Sequence, residues 1–103
     1  MELSVQIVRF VSREPQPGVV ACEFVDADNR THTIVDKLAI FTAVDLDDLG
    51  PYPTNGVVRC EVLGTWKNPE GRELVRITTR RDGVESTEGL SEFVVLRKQL
   101  LEA

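Results

Sequence analysis

The sequence predicts a small antiparallel β fold, a barrel or an open sandwich, with one short helix between the third and fourth strands. Three observations predict it. The first is composition. The 103 residues include 15 Val, 8 Thr and 4 Ile, β-branched side chains that lose rotamer freedom in helices and pack well on a pleated surface. The second is periodicity. Apolar and polar residues alternate over several short runs, the period of a half-buried strand. The third is punctuation. Gly, Pro, Asn and Asp cluster between those runs, where turns need them. A chain of this length builds one core, so residues 1–103 are read as a single domain.

In the first strand Leu3, Val5 and Ile7 alternate with Ser4 and Gln6. Val8, Phe10 and Val11 break the phase, which predicts a bulge or burial on both faces. Residues 12–18 carry two prolines and a glycine and form a turn. The second strand runs from Val19 to Asp26, with Val20, Cys22 and Phe24 on one face. Ala27-Asp28-Asn29 is a three-residue hairpin loop, with Asn29 in the left-handed position. That loop sets Asp26 opposite Arg30, Phe24 opposite His32 and Cys22 opposite Ile34. The third strand extends from Arg30 to about Ile40.

Thr42 to Gly50 is the expected helix. Thr42 and Asp45 have the spacing of a capping box, Gly50 suits the left-handed C-terminal position, and Pro51 forbids continuation. The fourth and fifth strands alternate through Val58, Cys60 and Val62, then Val75 and Ile77. A four-residue loop between them sets Val62 opposite Val75, Cys60 opposite Ile77 and Glu61 opposite Arg76. Val84 to Thr87 reads as a short edge strand. Residues 91–103 read as a final strand over Phe93–Leu96 and a helical tail packing on the sheet. Helical spacing of Phe93, Leu96 and Leu100 leaves strand and helix both open for this segment. Three strands, a helix, a hairpin and a last strand give the element order of an OB-type barrel, with an SH3-like barrel as the alternative. No residue motif identifies a family.

Twelve Lys and Arg stand against 17 Asp and Glu, a net charge of -5. That balance argues against non-specific binding to nucleic acid or anionic lipid. No apolar run approaches the roughly 20 residues of a membrane helix. The N-terminal residues carry no basic leader, and two cysteines do not make a disulfide framework, so a cytoplasmic setting is expected.

Candidate chemistry is sparse, and no catalytic residue is assigned. His32 is the only histidine, on the phase of Phe24 and Ile34, which predicts a packed side chain. Cys22 and Cys60 lie at inward positions and read as buried thiols. No metal or cofactor is expected. The acidic run around Asp45, Asp47 and Asp48 fails as a calcium loop, because Leu49 and Gly56 occupy ligand positions. It remains an acidic patch for a basic partner. Val8, Phe10, Val19, Val25 and Val35 fall opposite the predicted core, on a face that should be polar if it met water. They predict a covered contact, made by Phe93 to Leu101 folding across, by a second copy, or by another protein. Tyr52, between two prolines, is a candidate rim contact. Trp66 falls on the inward phase opposite Gly71, as a plug.

The leading expectation is a non-catalytic, small acidic protein-binding module, adaptor-like or inhibitor-like, suited to a basic target. Its candidate residues are Val8, Phe10, Val19, Val25, Val35, Asp45, Asp47, Asp48 and Tyr52. The first alternative is an OB-type module for single-stranded nucleic acid, using Arg59, Arg76, Arg80 and Arg81. A small enzyme or small-molecule binder is the other.

Overall fold

The structure, a computed structural model, describes residues 1–102. It contains two antiparallel sheets arranged as an open sandwich. The first holds β1 (Glu2–Ser12), β2 (Val19–Val25), β3 (Thr31–Lys37) and β4 (Thr54–Arg59), in the order β3-β2-β1-β4. The second holds β5 (Glu61–Lys67), β6 (Glu73–Thr78) and β7 (Glu92–Leu96), in the order β5-β6-β7. A two-residue strand, β8 (Leu100–Leu101), returns to the first sheet and pairs with Glu2 and Leu3 of β1. The strands therefore divide between two sheets and do not close into a barrel. One short helix, α1 (Leu38–Phe41), follows β3.

The β2–β3 hairpin has the expected register, with Phe24 opposite His32 and Cys22 opposite Ile34. Asn29 takes φ 64°, and Asp26 Oδ1 accepts from the N–H groups of Asp28 and Arg30, which fixes the loop. In β1 the phase break is a bulge. Ile7 pairs with Cys22 but Arg9 with Ala21, so Val8 is the extra residue. Phe10 then pairs with inward-facing Val20, packs on the core and closes over Gly18. This corrects its expected place on the outer face.

The helix is earlier and shorter than expected. Leu38 and Phe41 are one helical turn apart, and each is only 1% exposed. One turn buries both, whereas a strand would send them to opposite faces. Residues 42–50 bury no side chain as fully: Leu46 packs only partly on the core, and Val44 is 64% and Leu49 88% exposed. The Thr42 hydroxyl accepts from the Val44 N–H and makes a local turn instead of a cap. Gly50 is left-handed, at φ 83°, as expected.

The β5–β6 hairpin slides from the expected register, by three residues beside the loop and by two beyond the bulge at Leu63. Val62 faces Ile77, Glu61 faces Thr78, and Lys67 faces Glu73. The cause is the loop, in which Asn68 Oδ1 accepts from the N–H groups of both Glu70 and Arg72 and holds Asn68–Arg72 as a unit. The step from Val62/Ile77 to Gly64/Arg76 leaves Leu63 as a bulge. Past it the side-chain phase inverts, and Trp66 lies opposite Leu74 on the outer face. A Cβ on Gly71 would meet nothing within 4 Å, so Trp66 does not cover it.

Residues 84–87 are a loop, not a strand, and the Thr87 N–H donates to the Thr33 carbonyl on the free edge of β3. Residues 92–96 are a strand, as expected. The expected helical tail is a single 3-10 turn over Arg97–Gln99, followed by β8.

The core joins both sheets. Leu3, Val5, Ile7, Val20, Cys22, Ile34 and Val58 of the first meet Val75, Ile77, Phe93 and Val95 of the second, with Leu38, Phe41, Val84 and Leu100 at the margins. Each fully buried Val, Leu or Ile contributes about 1.5–3 kcal/mol relative to its exposed state. The core thereby fixes which alternate residues of each strand point outward.

Candidate interaction surfaces

On the first sheet, the outer phase of β1 and β2 builds an open groove of about 600 Å³. Val8, Glu23 and Val25 line it together with Ser4, Gln6 and Thr31. Pro53 closes one side and the turn at Lys98 and Gln99 the other. Gln99 Nε2 donates to the Val25 carbonyl at 2.8 Å and fixes that turn to the rim. Val25 remains 45% exposed and Val35 38%.

The expected apolar stripe is thus divided. Val8 and Val25 share the groove. Val35, opposite Ala21, and Val19, opposite Lys37, lie on the same outer phase beyond its lining. Phe10 belongs to the inner side. The C-terminal segment does not fold across the stripe: Phe93, Val95 and Leu100 face the core, and only Lys98 and Gln99 reach the groove.

Asp45, Asp47 and Asp48 are exposed in the loop after α1. Asp48 lies 3.5 Å from Arg13, and Asp47 Oδ1 accepts from the Leu49 N–H. Tyr52 is half-buried against the core, and its hydroxyl donates to the Asp47 carbonyl. Burial, reinforced by the Asp47 and Asp48 charges, pushes the Tyr52 phenol above its ordinary value. Tyr52 therefore fastens the acidic loop to the body. Charge is unevenly shared along the chain. Residues 1–58 hold nine acidic and four basic residues, and residues 59–103 hold eight of each, so the whole excess of -5 lies in residues 1–58.

Three of the four candidate arginines gather, because Arg81 lines both the cleft that holds Arg59 and the hollow that holds Arg80, and only Arg76 stands outside them. Arg59 and Arg81 line one polar cleft of about 430 Å³ with Glu61, Thr78 and Asp82. Arg81 lies 3.8 Å from Glu61. Arg80 lines an adjacent hollow with Leu63 and Glu92. Arg76 stands apart on the outer face of the second sheet, between Gly64 and Val94. That face also presents Trp66, Leu74 and Leu96 in a row across three strands. The composition pointed to no such surface. An isolated glycine inside a strand pattern marks a bulge, and Gly64 was the signal that would have turned Trp66 outward.

His32 is buried, 6% exposed, between the rings of Phe24 and Phe93. Its Nε2 lies 2.7 Å from Asp26 Oδ2, and its Nδ1 lies 3.3 Å from Glu88 Oε1. Glu88, 56 residues on, was invisible to strand pairing. Burial raises the Asp26 carboxyl, but the His32 hydrogen bond, the Arg30 and Asp28 N–H groups and the His32 charge outweigh it and hold Asp26 below its usual value. Burial pushes the Cys22 thiol up to about 12. Burial also raises the Cys60 thiol, with the Glu2 charge adding to it against the N-terminal ammonium. Both cysteines are free and buried. Among the described residues, no group of three His, Cys, Asp or Glu side chains is placed to hold a metal ion. No buried side-chain polar atom among them lacks a partner. No helix there is long and apolar enough to cross a membrane.

Compared with protein-family models, with curated proteins and with solved structures, the chain matches none.

Proposed function

We propose that this chain is a non-catalytic protein-binding module whose docking site is the groove on the first sheet. The carrying observation is the groove itself. An antiparallel face open to water should be polar, yet here Val8 and Val25 line an open trough of about 600 Å³. The adjoining part of the chain carries the entire negative excess, which favours a basic partner and speeds its approach. The tied state of His32 supports a non-catalytic role, since both ring nitrogens already face carboxylates.

A second reading has one observation in its favour. Trp66 and Arg76 share the outer face of the second sheet, an aromatic and a cation of the kind that single-stranded nucleic acid uses. Capture from extract, with and without nuclease, separates the two. A stoichiometric protein that survives nuclease is expected. Recovery of nucleic acid alone would overturn the proposal.

A further inference from the structure

We propose that β5 takes up an extended acidic segment of another protein, which adds to the second sheet as a fourth, antiparallel strand. The proposal is independent of the groove.

A sheet edge presents unpaired N–H and C=O groups, and natural edges are covered or protected. The Thr87 N–H donates to the Thr33 carbonyl at the edge of β3, and the Ala27 N–H donates to the Val94 carbonyl at that of β7. The exposed residues of β4 are the polar Asn55 and Arg59. β5 differs from all three. It pairs with β6 alone, and none of its seven residues is buried. Its apolar members Val62, Leu63 and Trp66 are 41%, 47% and 44% exposed. The bulge at Leu63 confines the regular edge to Gly64–Lys67, in which Gly64 and Trp66 lie on the outer phase.

The occupant follows from the charge behind that edge. Arg76 lies opposite Gly64 on the outer face, with Val94 on its other side and Trp66, Leu74 and Leu96 in the next row. It is the one charge among them, and among the described residues it makes no ion pair. Gly64 has no side chain, and a Cβ there would meet nothing within 4 Å. The path from Arg76 to the edge is therefore open. A residue added opposite Gly64 stands two strand spacings from Arg76, about 10 Å, which a glutamate and an arginine span together. Glu61 and Glu92 flank Thr78 one row further on, so they repel a carboxylate that slips past the bulge. An antiparallel segment in this register reaches Trp66 two positions before it reaches Gly64. The segment recognised is therefore an apolar residue followed two positions later by an acid.

Trp66 is the only tryptophan, so its fluorescence reads this edge directly. The probe is the acetylated and amidated peptide Thr-Ser-Val-Thr-Glu-Thr-Ser, with versions that carry Gln or Lys in place of Glu. Two further versions of the Glu peptide are N-methylated, one on each alternate set of amides. The wild type is expected to bind the Glu peptide with a blue shift of Trp66 emission. It should bind the Gln peptide about threefold more weakly, and the Lys peptide more weakly still. Arg76 is exposed, so Arg76→Glu does not enter the core. That variant should reverse the order and prefer the Lys peptide, a gain that no misfolded protein would show. One N-methylated version should still bind and the other should not, because only alternate amides of an added strand face β5. No shift with any peptide overturns the proposal. So do equal binding of the Glu, Gln and Lys peptides, tolerance of both methylations, or an Arg76→Glu variant that keeps the wild-type order. A Trp66 response to single-stranded oligothymidylate and to none of the peptides overturns it in favour of nucleic acid.

Discussion

His32 Nε2 lies 2.7 Å from Asp26 Oδ2, and this contact ties the last turn of the β2–β3 hairpin to the aromatic end of the core. Asp26 also accepts from the N–H groups of Asp28 and Arg30. One carboxylate therefore holds the hairpin loop and orients the imidazole. Its folded-state value is lowered, so it favours the folded state above the ordinary unfolded value and loses that contribution as pH falls. Stability should decline below pH about 4, the region in which an unfolded aspartate titrates. Asp26→Asn should flatten that decline and cost about 1–3 kcal/mol at neutral pH. Chemical denaturation across pH, for both proteins, measures the difference in slope.

The two thiols predict the opposite limb. Cys22 and Cys60 have raised folded-state values, Cys22 up to about 12. A raised acid favours folding below its unfolded value, about 8.5 for cysteine, and the benefit is lost as pH rises toward the folded value. Stability should fall steadily above that pH. Cys22→Ala in a Cys60→Ala background should remove much of the slope. Cys22, at 0% exposed, should also react with thiol reagents only as fast as the protein opens, which a denaturant series on Cys60→Ala would show.

Gly18 holds φ 138°, and a Cβ there would stand 2.7 Å from Phe10 Cζ. Gly18→Ala combines a backbone strain with displacement of a core-packed ring. It should lower stability by about 1–3 kcal/mol. Gly64→Ala, where the Cβ space is open, should cost less. Thermal unfolding of the pair checks the order.

These positions show what the sequence could and could not convey. The hairpin register was legible because Ala27-Asp28-Asn29 fixes loop length and left-handed position locally. The helix was misplaced because a capping pattern at Thr42 is a local signal. The burial of Leu38 and Phe41, which decides the matter, depends on the whole core. Trp66 was placed inside because strict alternation ignores a bulge, and one extra residue at Leu63 reverses every later side chain. The groove was half legible. Val8 and Val25 stood out by phase, but its walls, Pro53 and Gln99, come from distant segments. Glu88 could not be inferred at all, since no local rule links it to His32 across 56 residues.

Leu74 should show the value of the outward tryptophan. Trp66→Ala removes a half-exposed ring beside Leu74, so its stability cost should be below the about 3–5 kcal/mol of a core aromatic. Phe93→Ala, at a site 5% exposed and in contact with Phe24 and His32, should reach that range. Denaturant midpoints compare the two directly.

The groove claim is tested most directly by capture from nuclease-treated extract with three proteins: wild type, Val25→Glu and Leu90→Glu. Val25 and Leu90 are similarly exposed, at 45% and 43%, but only Val25 lines the groove. The account predicts a protein retained by wild type and Leu90→Glu and lost from Val25→Glu, with all three equally folded. Equal retention by all three would contradict it.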